Sequence, residues 1–229
     1  MILALDTSGE MTGLALFDGR QLLAEQLWNG AGRSTIEVAP EIALLLRRTR
    51  RTVQDLSGVV VALGPGSFTG LRIGLSLARG LALTGARRVV GVPTLDILAK
   101  AQPPRTEPML AILQAGRGRL AGVWYKWTKR GWKAQSEPEG FARETLRSRL
   151  TSPAYLCGEL SPEEREAWEP IPGVTLAEPT LSIRRPGVLA QLGWTLLQAR
   201  KATDPSKLTP IYLSPLEEVP PHPHDEASG

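Results

Sequence analysis

The sequence predicts an α/β fold in which a mixed sheet is flanked by helices. In residues 1–101, apolar segments rich in β-branched residues alternate with helical patterns in the order β-β-β-α-β-α-β-α. The first three strands are separated by tight turns at Gly9 and Asp18-Gly19, which indicates an antiparallel start. Further along, Gly64-Pro65-Gly66 forms a turn between a buried strand and a helix, as expected where a helix folds back on a sheet.

The N-terminal strands are predicted at residues 1–5, 13–17 and 21–28, and Asp6-Thr7-Ser8 follows the first of them. A carboxylate and two hydroxyls at the end of a buried strand are suited to Mg²⁺ or a phosphate. An aspartate in a turn also commonly accepts hydrogen bonds from nearby backbone N–H groups. Both interpretations of Asp6 stay open at this point.

The first helix is predicted to begin with a capping box formed by Ser34 and Glu37. Pro40 lies inside the helical pattern, so the helix either kinks there or begins near Pro40. Four arginines lie at its end, in residues 47–51. They complement the negative end of the helix dipole, and a contact with tRNA is the alternative.

The next strand is predicted at residues 58–63 and the central helix at 71–83. Ser67 or Thr69 can cap this helix through a side-chain oxygen. A glycine-rich turn at a helix start suits a phosphate, because its N–H groups are unpaired and lie at the positive end of the dipole. The turn lacks the lysine and the spacing of a Walker A loop, and a compact turn without a ligand is the alternative.

The central helix has apolar stripes on two flanks. They comprise Leu71, Leu75, Ala78 and Ala82 on one flank, and Ile73, Leu77 and Leu81 on the other. A helix that is apolar on more than one side is usually covered on more than one side. We therefore expect one flank to face the sheet and the other to face a second helix, from this chain or a partner. A row of small residues, Gly70, Gly74 and Ala78, is expected to let another backbone approach.

The second half of the chain is predicted to form a second, more divergent unit. A proline-rich linker at 102–108 separates the two, which gives subdomains at residues 1–102 and 103–213 and a disordered tail at 214–229. The remaining predicted elements are strands at 87–92, 109–113, 120–127 and 154–157, helices at 95–101, 141–150 and 188–200, and a helix that starts at Ser161-Pro162.

The composition argues against several classes of function. The chain has 229 residues, 42% hydrophobic and 22% charged, with a net charge of +4, as expected for a soluble globular protein. Its two histidines, His222 and His224, lie in the predicted tail, so the folded part offers no Ser-His-Asp triad and no histidine metal motif. The one cysteine, Cys157, fits a reducing compartment. The pattern contains neither a signal peptide nor a membrane-spanning run.

A run of eleven residues, Gly64-Pro65-Gly66-Ser67-Phe68-Thr69-Gly70-Leu71-Arg72-Ile73-Gly74, resembles the TsaB/YeaZ family. Three more segments share the resemblance: Asp6-Thr7-Ser8, Gly91-Val92-Pro93-Thr94 and Thr209-Pro210-Ile211-Tyr212-Leu213. The resemblance implies an α/β, actin-like ATPase fold of the ASKHA, ribonuclease H-like class. Such a fold has two subdomains, each with a mixed sheet flanked by helices, and the loop at Asp6 meets the nucleotide phosphates in its ATPase members.

For function, the resemblance implies a non-catalytic subunit that binds TsaD and supports threonylcarbamoyl transfer to the adenosine beside the anticodon of tRNA. No cofactor is expected on this chain, because ATP and metal are expected on the partner subunits. TsaE is expected in the larger complex, and tRNA is expected to bind through that complex. The resemblance also implies a cytoplasmic protein that forms a heterodimer with TsaD, forms a homodimer when alone and contacts no membrane.

The helices at 35–50 and 69–84 are expected to form a shared bundle with TsaD. The predicted partner-binding residues are Ile42, Leu45, Leu46, Phe68, Gly70, Leu71, Gly74, Leu75, Ala78, Arg79 and Ala82. A charge at Leu75 or a bulky side chain at Gly74 is then expected to abolish TsaD binding and leave the fold intact. A vestigial nucleotide site is predicted at Asp6, Thr7, Ser8, Gly64 and Gly66.

The chain departs from the family pattern at two places. Ser34-Thr35-Ile36 stands where relatives usually have His-Ser-Glu, and Gln114-Ala115-Gly116-Arg117-Gly118-Arg119 stands where they often have Asp-Ala-Arg-Arg-Gly-Glu. The second departure removes two acids, which argues against metal or nucleotide chemistry on this chain. Three alternatives remain: a small actin-fold kinase or ATPase acting on its own, a peptidase, as the wider glycoprotease family is labelled, and a stand-alone tRNA binder.

Overall fold

The computed structural model describes residues 1–30, 33–84, 88–116, 118–150 and 152–213, so the predicted tail at 214–229 lies outside the described residues. Within these ranges the chain forms two sheets with helices packed on both faces. The first sheet contains β1 (Ile2–Asp6), β2 (Met11–Phe17), β3 (Leu22–Asn29), β4 (Gly58–Ala62) and β5 (Val89–Val92). The second contains β6 (Met109–Gln114), β7 (Arg119–Thr128), β8 (Gly131–Ala134), β9 (Glu139–Ala142), β10 (Ala154–Gly158) and β11 (Val174–Leu176). The helices are α1 (Ser34–Arg48), α2 (Phe68–Thr84), α3 (Thr94–Ala101), α4 (Leu146–Arg149), α5 (Pro162–Trp168) and α6 (Pro186–Gln198).

The first sheet has the strand order β3-β2-β1-β4-β5. β1 is antiparallel to β2 and parallel to β4, so the predicted mixed sheet with an antiparallel start is confirmed. Side chains of β1 alternate between the two faces, as a strand requires. Leu3 and Leu5 join the apolar cluster under α1 and α2, while Ile2 and Ala4 join the cluster under α6.

Helix packing crosses the predicted division at residue 102. The linker does separate the two sheets, yet α6 from the second half packs on the first sheet, where Leu189 and Leu197 meet Ile2 and Ala4. Conversely, α3 from the first half packs on the second sheet. The physical reason is that both faces of the first sheet are apolar and must be buried. α1 and α2 bury one face, and α6, which comes later in the chain, buries the other. The two subdomains therefore share helices rather than dividing at a single point.

The second sheet has the strand order β11-β10-β6-β7-β8, and β9 pairs with β7. The helix predicted at 141–150 is wrong over its first residues. Phe141 lies on β9, where it is buried opposite Leu120 of β7, and a 3₁₀ turn at 143–145 leads into the short helix α4. The apolar residues around Phe141 are too few to show whether they repeat with the period of a helix or of a strand. Pairing with β7 therefore decides their conformation.

Two predicted helix starts have different outcomes. The capping box at Ser34 is wrong, because Ser34 is the first helical residue, Arg33 occupies the N-cap position, and Glu37 pairs with Arg33. α1 then continues through Pro40 instead of beginning there. The start of α5 is confirmed, since Ser161 and Glu164 bond reciprocally to each other's backbone N–H groups.

Among the described residues, every helix is too short or too polar to cross a membrane.

After α6 the chain returns to the first subdomain as an irregular segment, residues 203–213, here called the return segment. Thr203 N donates to Val89 O at 2.9 Å, and Ile211 N donates to Leu63 O at 2.7 Å. Leu213 then packs against the apolar cluster of the second sheet. The return segment thus links both subdomains and lies beside the Gly-Pro-Gly turn, where the carbonyl oxygen of Ile211 is 2.5 Å from the position a Cβ on Gly64 would take.

Candidate functional site

A cleft of about 850 Å³ lies between the two subdomains. The first subdomain contributes the N-terminus of α2, and the second contributes Gln114, Arg119 and Glu159. Asp6 ends β1, and Glu159 directly follows β10. Ligands of open α/β sheets bind outside the carboxyl ends of the strands, so this cleft is where the fold predicts a site.

Asp6 is buried beside the cleft and is fully engaged within the chain. Its Oδ1 accepts hydrogen bonds from Ser8 N at 2.8 Å and from Ser8 Oγ at 2.5 Å. Its Oδ2 accepts from Arg184 Nε at 2.9 Å, and the same guanidinium pairs with Glu159 through Nη1. The interpretation of Asp6 as an acceptor of local backbone N–H groups is confirmed, and a long-range ion pair is added to it.

The Gly-Pro-Gly turn is likewise closed by contacts within the chain. Gly64 N donates to Thr94 Oγ1 at 2.9 Å, and Ser67 N donates to Ser8 O at 2.7 Å. Ser67 is the residue that caps α2, because its Oγ accepts from Gly70 N at 3.2 Å. A Cβ on Gly66 would lie 2.2 Å from Ser8 O, so only glycine lets the turn approach the loop after β1 this closely.

An actin-like fold implies a nucleotide with Mg²⁺ in such a cleft, and the residues present do not fit that group. The carboxylate that would face the cation is bonded to a guanidinium, and the N–H groups of Ser8, Gly64 and Ser67 donate to protein oxygens. The alternative of a kinase or ATPase acting on its own therefore gains no support from this cleft. At Asp6-Thr7-Ser8 the structure places a turn whose Asp6 carboxylate and Ser8 N–H are already engaged within the chain, and a nucleotide site there stays a prediction.

Nine of the eleven predicted partner-binding residues are buried inside this chain. They are Ile42, Leu45, Leu46, Gly70, Leu71, Gly74, Leu75, Ala78 and Ala82. The row of small residues faces the loop after β1: a Cβ on Gly70 would lie 1.9 Å from Thr7 O, and one on Gly74 would lie 2.6 Å from Thr7 Oγ1. The row does let another backbone approach at Gly70, and that backbone is this chain's own loop after β1; a role of the row in binding a partner stays a prediction.

The other two predicted residues, Phe68 and Arg79, differ in their surroundings. Phe68 is 53% exposed and stacks with Tyr212 at a ring-centroid distance of 5.2 Å. Arg79 is half-buried under the return segment, where it donates to Pro205 O at 3.0 Å and to Leu208 O at 2.7 Å. Arg79 is therefore engaged within the chain, and Phe68 is the accessible member of the predicted set.

The outward faces of α1 and α2 carry a different set of apolar side chains. Ile36 on α1 is 71% exposed and Leu83 on α2 is 88% exposed. Ala39 and Ala43 are exposed on α1, and space is open around Gly80 on α2. Because α1 and α2 pack against each other, these residues lie on the exposed sides of one helix pair, where Arg47, Arg72 and Ser76 are exposed as well. The small and apolar members of this set are here called the outward helix face (Ile36, Ala39, Ala43, Gly80 and Leu83).

Comparisons with known proteins find relatives in sequence and a similar fold. A family profile described as "TsaD: tRNA N6-adenosine threonylcarbamoyltransferase" matches residues 31–137. The chain is 34% identical over 138 residues to the "tRNA threonylcarbamoyladenosine biosynthesis protein TsaB" of Bacillus subtilis, which covers 60% of each chain. It is 29% identical over 153 residues to the Escherichia coli protein of the same name, which covers 65% of each. The solved structure "YeaZ from Pseudomonas aeruginosa" superposes with a TM-score of 0.74 at 21% identity, covering 93% of this chain and 99% of that one.

The chain is similar in sequence to the TsaB proteins and in fold to YeaZ. Its fold is the α/β, actin-like fold expected from the resemblance, with two mixed sheets flanked by helices. The matched segments span 60% and 65% of the two curated relatives, which is less than two thirds of their length.

Cys157 is a core residue of this chain. It lies on β10 with no exposed surface, and burial raises the pKa of its thiol far above the ordinary value. A nucleophilic cysteine needs a lowered pKa and access, and Cys157 has neither. Cys157 therefore serves as a small buried side chain of the second sheet.

Sequence reasoning missed Arg184 and Glu159, which form a charged cluster with Asp6 beside the cleft. Each had a local signal that was not used: Glu159 follows a buried strand directly, as Asp6 does, and Arg184 precedes the start of α6. Neither signal reveals the pairing, because Arg184 lies 178 residues from Asp6 in the chain. The two residues pair because the fold brings the two subdomains together.

Proposed function

We propose that this chain is a non-catalytic subunit of the machinery that makes threonylcarbamoyladenosine in tRNA, and that it binds the threonylcarbamoyltransferase TsaD. The names of the relatives and the family profile support this proposal, and so does the buried carboxylate of Asp6 beside the cleft, which is already paired with Arg184. In this proposal TsaD carries the metal and the chemistry, TsaE joins the larger complex, and tRNA binds through that complex in the cytoplasm. The chain alone forms a homodimer through the surface that TsaD otherwise covers.

The observation that carries the proposal is the outward helix face. Ile36 and Leu83 are large apolar side chains that remain mostly in water on a helix pair whose inner face is buried. Each such side chain stabilises an interface by about 1.5–3 kcal/mol when it becomes fully buried. Ala39, Ala43 and Gly80 carry little bulk, so helices of a partner can approach this pair closely. The inferred interface is therefore a helical bundle that uses the outer residues of α1 and α2.

This choice of residues changes the variants that test the interface. Leu75 is 3% exposed, and a Cβ on Gly74 would already lie 2.6 Å from Thr7 Oγ1. A charge at Leu75 or a bulky side chain at Gly74 would disrupt the core, and lost binding would then report unfolding. Substitutions at Ile36 and Leu83 leave the core untouched.

The test compares Ile36→Glu and Leu83→Glu with a control, Leu22→Glu. Leu22 is 43% exposed on β3 and lies outside the outward helix face. We expect both face variants to bind purified TsaD about tenfold more weakly or worse in isothermal calorimetry, and to lose tRNA modification in a reconstitution with TsaD and TsaE. The control is expected to bind normally, and circular dichroism should show the same fold in all three. Normal TsaD binding by both face variants would contradict this interface, and no binding by the unsubstituted chain would contradict the proposed function.

A further inference from the structure

Three charged side chains from distant parts of the chain meet beside the cleft. Asp6 ends β1 of the first sheet, Glu159 follows β10 of the second, and Arg184 precedes α6. Arg184 Nε donates to Asp6 Oδ2 at 2.9 Å, and Arg184 Nη1 donates to Glu159 Oε1. The side chains of Asp6 and Arg184 are 3% and 4% exposed, so this contact is shielded from solvent on the Asp6 side.

The guanidinium matches this position in shape as well as in charge. Its planar fork directs separate N–H groups to two carboxylates at once, which a lysine ammonium at the end of a flexible stem does not do. Gly9 leaves room for it, because a Cβ there would lie 2.4 Å from Arg184 Nη2. Glu159 is fixed independently, since its Oε2 accepts from Gln114 N at 2.9 Å. Both carboxylates are thus held in place for a cation located between the two subdomains.

We infer that Arg184 is the resident cation of the cleft, occupying the place between Asp6 and Glu159 that a divalent cation would take if the guanidinium were absent. A buried carboxylate requires a paired charge, and here the chain supplies it from its own sequence. Burial disfavours the charged form of Arg184, but the charges of Glu159 and Asp6 outweigh that effect and raise its pKa, so the cation is permanent. The two sheets are joined at their strand ends without a metal or nucleotide. This inference concerns the cleft and does not depend on the proposed binding of TsaD.

The experiment removes the side chain and asks whether a divalent cation replaces it. Arg184→Ala leaves two carboxylates around an empty position, and the matched control is Arg185→Ala, whose side chain is 56% exposed and pairs with Glu25 at the surface. We expect Arg184→Ala to melt well below the control and to show a larger radius of gyration in small-angle scattering. Mn²⁺ is the probe, followed by electron paramagnetic resonance and by thermal melting. Mn²⁺ should bind Arg184→Ala, raise its melting temperature and reverse the expansion, and Glu159→Gln in the same background should remove that binding.

Two further measurements make each outcome decisive. Arg184→Lys keeps a positive charge that reaches one carboxylate at a time, so we expect an intermediate melting temperature and no bound Mn²⁺. If Arg184→Ala does not fold, its refolding from urea is compared in Mn²⁺ and in choline chloride, and recovery in Mn²⁺ alone supports the inference. Equal effects of Mn²⁺ on Arg184→Ala and Arg185→Ala, or no recovery in either salt, would overturn it.

Discussion

The phenol hydroxyl of Tyr125 on β7 donates a hydrogen bond of 2.7 Å to Asp96 Oδ1 on α3. This contact joins a helix from the first half of the chain to the second sheet, so it belongs to the packing that crosses the predicted subdomain boundary. Burial raises the pKa of the Asp96 carboxyl, and the hydrogen bond from Tyr125 offsets only part of that rise. Burial, reinforced by the charge of Asp96, also raises the pKa of the Tyr125 phenol. Ionised Asp96 therefore carries a desolvation penalty in the folded protein.

Asp96→Asn should make the protein more stable relative to the wild type as the pH rises. The folded-state pKa of Asp96 lies above its ordinary value of 3.8, so the folded state holds the proton more tightly than the unfolded state. Ionisation then costs stability as the pH rises from that value through the folded pKa, at about 1.4 kcal/mol for each pH unit that separates the two pKa values. The asparagine keeps an oxygen that accepts from Tyr125 and carries no charge. Urea unfolding of both proteins between acidic and neutral pH measures the widening difference.

The control for that series is Asp18→Asn, for which the change of stability with pH has the opposite sign. Backbone hydrogen bonds from Gln21 and Arg20 lower the pKa of the exposed Asp18 carboxyl, so its ionised form stabilises the fold and that contribution is lost on acidification. The asparagine variant should therefore lose stability relative to the wild type as the pH rises. A difference between Asp96→Asn and wild type that does not change with pH would contradict the buried-carboxyl account.

Local sequence patterns correctly predicted those helices and strands whose conformation depends on residues nearby in the chain. The β-branched run predicted at 58–63 forms β4 (Gly58–Ala62). All residues of β4 are buried between helices on both faces of the sheet. Ser161 caps α5 at the predicted helix start, because Glu164 N, which donates to its Oγ, lies within one helical turn. Phe141 was assigned wrongly, since its strand exists only through pairing with β7.

The same limit explains the errors at the candidate site. The apolar pattern of α2 gives two stripes of similar character and does not say which of them faces this chain's own sheet. The structure buries the stripe that contains Leu71 and Leu75, and Thr7 Oγ1 donates to Gly70 O at 2.7 Å from 63 residues away. Arg184 was missed for a similar reason, because a charge before a helix is ordinary until its carboxylate partners are known. Sequence reasoning thus found the loops of the site and missed the contacts that close them.

Gly70→Ala should destabilise the fold, because a methyl group there cannot avoid the backbone of the loop after β1. The added Cβ would lie 1.9 Å from Thr7 O, and Thr7 Oγ1 is bonded to the carbonyl of the same glycine. Overpacking of this kind costs about 1–3 kcal/mol, and a clash with backbone leaves little room for relief. Urea unfolding measures the loss.

Gly80→Ala is the matched control on the same helix. Space is open around Gly80, so the alanine meets nothing, and it should stabilise the fold by up to about 1 kcal/mol through helix propensity. Equal free energies of unfolding for the two variants would contradict the claim that Gly70 of α2 packs directly against the backbone of Thr7.

Arg79→Met should release the return segment from α2. Arg79 donates to the carbonyl oxygens of Pro205 and Leu208, and hydrogen bonds from a charged group contribute about 1.5–3 kcal/mol. We expect a loss of roughly that size in urea unfolding, together with faster hydrogen exchange at the amide of Ile211, which is bonded to Leu63 O. Arg88→Met is the control, because Arg88 Nε donates to Ser57 O within the first subdomain and contacts no residue of the return segment through that bond. Unchanged exchange at Ile211 in Arg79→Met would contradict this expectation and would mean that the backbone contacts of the return segment hold it in place without Arg79.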